Sequence, residues 1–194
     1  MQNSQKSKAL INNILAGQTD DFREIIKDYE NLVAHIVNKM IPERAVVEDL
    51  CQDVFIKVYQ NLGSFKFESK FSTWVARIAY NTTLNYLEKK KVPVFADISD
   101  DESFSPDTVK GESVTPEEFT TGRNTADLVR EEIDALPPQY GVILALYHLE
   151  DMSYDEISQV TGMPSGTVKS HLFRGRKLLK ESLLAKYNKE DLWN

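Results

Sequence analysis

Phe65, Phe67, Phe71 and Trp74 alternate with Lys66, Lys70 and Arg77 in the stretch SFKFESKFSTWVARIAYN, which runs from Ser64 to Asn81. Burying the rings would drag the cations out of water, and exposing the cations would leave the rings wet. The combination suits a ligand that is itself flat, apolar-faced and anionic. Rings stack on bases, cations hold phosphates, and an amide reads a base edge, so these are the parts of a single-strand nucleic-acid site. Trp74, Arg77 and Asn81 stand at i, i+3 and i+7 and share one helix edge. Duplex DNA has its bases already stacked, so such a segment suggests opened strands. A plainer reading competes for each residue. Phe71 and Trp74 match the spacing of Val75 and Ile78 and fit a core, Phe65 and Phe67 fit either role, and Asn81 also suits an ordinary polar helix position.

A second constellation lies in MSYDEISQVTGMPSGTVKSHLFRGRKLLKESL, from Met152 to Leu183. Ser153 with Glu156 forms a capping box before a short helix containing Ile157 and Val160. Gly162 permits a sharp turn, and Pro164 suits the first turn of a following helix anchored by Val168, Leu172, Leu178 and Leu179. Helix, short glycine turn and basic second helix describe a helix-turn-helix. The second helix of such a unit enters the DNA major groove and presents its early residues to base edges. Here those are Ser165, Thr167, Lys169, Ser170 and His171, with Arg174 one turn on, while Arg176, Lys177 and Lys180 suit the backbone. The alternative is a protein-docking module whose basic face is merely solvated.

A third feature lies on the helix after Pro42. Opposite its apolar rows stand Asp49, Gln52, Asp53, Ile56 and Gln60. An isoleucine within an acidic, amide-rich stripe reads either as a partner surface with one apolar contact or as a solvated face. Enzyme chemistry finds no support. His35, His148 and His171 are scattered, no nucleophile–base motif is present, and no glycine-rich phosphate loop occurs. No cofactor or metal is expected.

These residues need positioning, and the pattern that would do so is helical throughout. Phe22, Ile25, Ile26, Tyr29, Leu32, Val33, Ile36, Val37 and Met40 recur at steps of three and four, predicting one long amphipathic helix capped by Thr19 or Asp20. The next carries Leu50, Val54, Val58 and Leu62 beside Cys51, Phe55 and Tyr59, and Gly63 stops it. Phe71, Trp74, Val75, Ile78, Ala79 and Thr82 share a face of a third helix running towards Lys91. With a short helix over Lys6 to Leu15, these close a bundle. After the linker, Leu128, Val129, Ile133 and Leu136 lead to Pro137 and Pro138, and Val142, Ile143, Leu146 and Leu149 mark another helix. The expected fold is all-α: a helical bundle over 1–91, a linker over 92–122, and a helix-turn-helix domain over 123–194.

Charge follows that division. The 194-residue chain carries a net charge of -7, which by itself disfavours nucleic acid. Between Ser64 and Lys91, however, Lys66, Lys70, Arg77, Lys89, Lys90 and Lys91 oppose only Glu68 and Glu88, a net +4. Between Met163 and Lys186, Lys169, Arg174, Arg176, Lys177, Lys180 and Lys186 oppose only Glu181, a net +5. The acids concentrate between Asp97 and Glu118, where they outnumber Lys110 by seven. Two basic patches flank an acidic bridge that reads as a mobile linker. Hydrophobic residues at 41% and charged residues at 27% suit a folded protein. The single cysteine, Cys51, forms no internal disulfide and reads as a buried thiol. No apolar run reaches the ~18 residues of a membrane span, and the start MQNSQKSKAL lacks a secretory apolar core. The expected location is the cytoplasm.

In this order the parts resemble a bacterial RNA polymerase sigma factor of the extracytoplasmic-function (ECF) class. The carrying segments are VVEDLCQDVFIKVYQNLGSFKFESKFSTWVARIAYNTTLNYLEKKK and LPPQYGVILALYHLEDMSYDEISQVTGMPSGTVKSHLFRGRKLLKESL. The first is similar to the family's second conserved region and the other to its fourth. The resemblance implies that Asp49, Gln52, Asp53 and Ile56 meet core RNA polymerase. It implies that Ser64, Phe65, Lys66, Phe67, Lys70, Arg77 and Asn81 take the promoter −10 element as a separated non-template strand, with Asn81 in the pocket for a flipped base. It implies that Tyr154, Ser165, Thr167, Lys169, Ser170, His171, Phe173 and Arg174 read the −35 duplex. Tyr147 and His171 stand where the family often has arginine. The acidic linker is then either a tether or a segment threaded through the polymerase RNA path, and an anti-sigma factor is a further partner. The readings from other classes are a helix-turn-helix regulator that binds duplex DNA unaided, and an adaptor that sequesters a partner without binding DNA.

Overall fold

The computed structural model describes residues 2–90 and 125–187. The expected linker over 92–122 lies outside the described residues. Within them the chain forms eight α-helices and no strand. The order is α1 (Gln2–Leu15), α2 (Phe22–Met40), α3 (Arg44–Asn61), α4 (Phe71–Lys89), α5 (Thr125–Asp134), α6 (Pro138–His148), α7 (Tyr154–Thr161) and α8 (Ser165–Lys186). The all-α expectation holds.

Most of the periodic rows read from the sequence are buried, but in the second row of α3 Cys51 and Phe55 are half-buried and Tyr59 is 43% exposed. In α2, Ile25, Tyr29, Leu32, Val33, Ile36, Val37 and Met40 are buried. They pack against Val47, Leu50, Val54 and Val58 of α3 and against Phe71, Val75, Ala76 and Ala79 of α4. The expected side-chain cap on α2 is absent. Thr19–Asp21 instead form a 3-10 turn, and Asp21 at the N-cap makes no side-chain hydrogen bond to the helix. Helix α3 ends at Asn61 and passes into a second 3-10 turn, Leu62–Ser64, so Gly63 lies inside a turn rather than closing the helix. Cys51 is half-buried, because it sits at the margin of the α3 core row, and burial pushes its thiol up from the ordinary value.

Helices α5 to α8 form a rear lobe. The sequence marks only one apolar face on α6, yet every residue from Tyr140 to Leu146 is buried. The reason is that α6 is enclosed, with α8 and α5 on the rear side and α2 of the front lobe against it. Buried Glu132 of α5 is satisfied by Ser182 Oγ at 2.5 Å, Lys186 Nζ at 3.0 Å and Tyr187 Oη at 3.2 Å, which ties α5 to the end of α8. The lobes touch at a second place, where α7 lies on α4. No described helix is long and apolar enough to cross a membrane.

Candidate nucleic-acid interface

The loop between α3 and α4 resolves the conflict between rings and cations by grading the rings from inside to outside. Ser64 Oγ donates to the Asn61 carbonyl at 2.7 Å, and the Phe65 N–H donates to the Leu62 carbonyl at 3.2 Å, which fixes the loop's exit. Phe65 is then directed inward and is 8% exposed. Its ring lies 5.2 Å from Phe71 and 5.4 Å from Trp74, centroid to centroid. Phe67 continues the cluster at 4.8 Å from Phe65 but is 44% exposed. Its φ of 59° is in the left-handed region, a costly conformation for a bulky side chain that turns the ring outward. Phe65 and Phe71 are therefore core, Trp74 is half-buried, and Phe67 is the ring offered to solvent.

Beside Phe67 lies a cavity of about 240 Å³. Its walls are the rings of Tyr29, Phe65, Phe67 and Phe71, with Ile11 and the hydroxyls of Ser7, Ser69 and Ser72, and Lys8 and Lys70 also line it. The Lys8 ammonium stands 5.6 Å from the Phe67 ring centroid. The space is many times the roughly 10–15 Å³ that one water needs. The contribution of α1 was not visible in the sequence, because its apolar pattern is too short to say which neighbour it meets. Asn81 does not line this cavity. It is exposed on α4, sharing an edge with exposed Arg77 and half-buried Trp74. Lys66 is exposed, and Lys70 is paired with Glu156 of α7, Nζ to Oε1 at 2.9 Å.

On α3, Asp49, Gln52, Asp53 and Gln60 are exposed around Ile56, which is 53% exposed, so the stripe faces solvent as one surface.

The helix-turn-helix forms as its residues require. Ser153 Oγ accepts the Glu156 N–H at 3.3 Å and Glu156 Oε2 accepts the Ser153 N–H at 2.9 Å, completing the capping box of α7. Gly162 adopts φ 75°, which lets the chain turn into α8. On α8, Lys169, Ser170, Phe173 and Arg174 are exposed, Phe173 at 71%. Ser165 donates to Asp155 at 2.9 Å, and Ser170 donates to the Thr167 carbonyl at 2.9 Å. Thr167 is half-buried. His171 turns from the outer face, its Nδ1 2.9 Å from the Thr167 carbonyl and its ring 5.4 Å from Tyr140. Tyr154 stacks on Tyr147 at 5.3 Å with the Lys169 ammonium 5.7 Å from its ring. His35 and His148, scattered in the sequence, each meet a partner: His35 Nδ1 lies 2.7 Å from Glu150 Oε1 across the lobes, and His148 accepts from Arg176 Nε at 3.2 Å. Burial, with help from the Arg176 charge, holds the His148 imidazole below its ordinary pKa.

Residues 25–92 match the family model "Sigma-70 region 2", and residues 126–179 match "Sigma-70, region 4". The chain is 30% identical over 179 residues to the ECF RNA polymerase sigma factor SigW of Bacillus subtilis, covering 91% of this chain and 96% of that protein. It is 32% identical to the ECF RNA polymerase sigma-E factor of Haemophilus influenzae, covering 91% and 94%. Two solved structures share the fold: CnrH in complex with the cytosolic domain of CnrY, with TM-score 0.62 and 17% identity over 94% of this chain and 99% of that one, and RpoE in complex with the anti-sigma factor NepR from Bartonella quintana, with TM-score 0.62 and 19% identity over 86% and 99%. With both conserved regions in order and relatives matched along nearly their whole length, the chain belongs to the sigma-70 family, in its ECF group of RNA polymerase sigma factors.

Proposed function

We propose that the chain acts without catalysis as a specificity subunit of RNA polymerase in the cytoplasm. The stripe of Asp49, Gln52, Asp53 and Ile56 docks on the core enzyme. Ser64, Phe65, Lys66, Phe67, Lys70, Arg77 and Asn81 build the site for the melted −10 strand. Exposed Lys169, Ser170, Phe173 and Arg174, with Tyr154, Ser165, Thr167 and His171 behind them, form the −35 surface.

The observation that carries this reading is the outward Phe67 ring beside a cavity of about 240 Å³ with lysines among its lining residues. A duplex-binding regulator has no use for such a ring. Extruding a base costs a few kcal/mol, which stacking and a close-fitting pocket offset in part. The negative net charge keeps the free chain from scattering over duplex DNA. An anti-sigma factor is a further partner on this reading, supported by the likeness to the NepR-bound RpoE fold.

Co-purification with core polymerase followed by runoff transcription tests the proposal. Initiation that needs both core enzyme and this chain is expected. Tight, selective duplex binding by the free chain, with no initiation, would instead make it an ordinary regulator. Asn81→Ala should impair promoter opening while leaving core binding in place.

A further inference from the structure

Two cations of α8 are held against one pair of rings. Tyr147, near the end of α6, and Tyr154, at the start of α7, stack with centroids 5.3 Å apart and planes 23° from parallel. The Arg176 guanidinium lies 5.0 Å from the Tyr147 centroid, and the Lys169 ammonium lies 5.7 Å from the Tyr154 centroid. The cations stand two turns apart on α8, about 10.5 Å at about 1.5 Å per residue. Three helices therefore contribute to a stack that runs arginine, ring, ring, lysine. Each ring face attracts the cation beside it, which narrows the range of a long, exposed side chain.

Arg176 has a second restraint. Its Nε donates to His148 Nε2 at 3.2 Å, and the His148 ring meets Tyr147 edge to face with centroids 4.9 Å apart. Only a neutral imidazole with its lone pair on Nε2 accepts that bond. The type of acceptor matters, because a carboxylate in the same place would cancel the guanidinium charge. Among the described residues no carboxylate pairs with Arg176. Ring and imidazole thus fix the side chain through one face and Nε. Its charge and its terminal Nη groups are left for an outside anion, and arginine suits phosphate in this way.

We propose that His148 is a positioning residue for the −35 duplex, orienting Arg176 towards a backbone phosphate while the Tyr147 and Tyr154 rings hold Arg176 and Lys169 as a pair of phosphate clamps. The inference rests on the reading of α8 as the duplex-facing helix, and it adds Tyr147 and His148 as residues that hold rather than read. Contacts of this kind fix register and carry no sequence information. Protonation of His148 turns the acceptor into a donor and sets a like charge against Nε, so the guanidinium is released as pH falls through the imidazole pKa. Burial and the Arg176 charge keep that pKa below the ordinary value, in keeping with the acceptor form. The other charges around the ring are Lys70 of the loop before α4, Asp151 of the turn after α6 and Glu156 of α7, and Glu156 is already engaged by Lys70.

Anisotropy of a labelled random-sequence DNA duplex, titrated with the full chain at a series of low salt concentrations, reads phosphate contacts without a promoter. Arg176→Ala should weaken binding about fivefold and lower the salt slope by about 1. His148→Ala should weaken it about threefold with helix content unchanged by circular dichroism, and should add nothing in the Arg176→Ala background. His148→Gln, whose amide oxygen accepts but does not titrate, should keep wild-type affinity near neutral pH. In acid the wild type should lose affinity relative to that variant. A His148→Ala effect that persists in full without Arg176, or a wild type that gains on His148→Gln in acid, gives the imidazole its own contact with DNA and overturns the inference. Single variants with unchanged affinity and slope overturn it too, even where runoff transcription with core polymerase succeeds. Coupled duplex binding without runoff transcription supports the clamp and removes the polymerase reading instead.

Discussion

Gly175 of α8 lies so close to Leu144 of α6 that a β-carbon would stand 3.0 Å from Leu144 Cδ1, and 3.2 Å from Tyr140 Cβ. The glycine sits in the helix given the proposed −35 surface, two residues after exposed Phe173, and it is buried. It sets how closely α8 approaches α6.

Gly175→Ala should therefore destabilise the rear lobe. Overpacking costs about 1–3 kcal/mol, and the better helix propensity of alanine returns only about 0.5–1 kcal/mol. A lower denaturant midpoint with the slope unchanged is the expected result. An unchanged or higher midpoint would show that α6 and α8 separate freely.

Lys39 gives the seam between lobes a pH dependence. Burial pushes its ammonium down to about 8 from 10.5. Asp134 pulls the other way, but its side chain is 66% exposed and shares its charge with water, so burial wins. Below pH 8 the penalty for the buried charge is fully present. From 8 to 10.5 the unfolded chain binds the extra proton and stability rises with pH. Lys39→Met should raise the thermal midpoint at neutral pH and flatten that rise. Persistence of the rise in the variant would assign it to another group.

Glu156 works in the opposite direction. Burial alone would push its carboxyl up, but the Ser153 amide, the Lys70 ammonium and the Ser153 hydroxyl together hold it below the usual range. Its contribution is present above the ordinary carboxylate pKa and is lost as pH falls through the depressed one. Acid should expand the chain, and Glu156→Gln should remove part of that expansion. Scattering across an acid titration of both proteins measures it.

The sequence was most legible where a feature is local. The capping box at Ser153 and Glu156, the turn at Gly162 and the buried row of α2 are consequences of neighbours within a few residues, and all are present. It was least legible where two segments far apart meet. Nothing near Glu156 announces Lys70, and nothing near His35 announces Glu150, because those pairings depend on how two amphipathic surfaces orient. The complete burial of α6 has the same origin. Phe65 and Phe67 show the limit within one loop: residue type is the same, and only the backbone at Phe67 decides which ring faces water. The place of Lys8 beside the cavity was not legible either, because helix periodicity reports which face is apolar and not what a lysine stands beside.

Lys169 and Arg174 are separated by little more than one turn on the exposed side of α8. If both touch the −35 duplex, replacing them with alanine should lower affinity of the polymerase complex and reduce the salt slope by about 1 for each phosphate that is no longer neutralised. A base-reading role would instead relax selectivity at one position with the slope retained. An unaltered slope and unaltered selectivity would leave the two residues without a role on DNA.

Phe65 and Phe67 provide the sharpest test of the single-strand site, because one sequence pattern has produced two different physical roles. Phe65 is enclosed by Phe71 and Trp74, so Phe65→Ala should cost about 3–5 kcal/mol of stability through the cavity it leaves. Phe67 has one face on Phe65 and is otherwise half in water, and its backbone strain is relieved by Phe67→Gly. That variant should fold nearly as well as the wild type and lose about 1–3 kcal/mol of binding to the opened strand, the worth of one base stack. Thermal melts and promoter-opening assays on the two variants therefore move in opposite proportion. If Phe67→Gly melts early and opens promoters normally, the ring belongs to the core and the site must be sought along Trp74, Arg77 and Asn81.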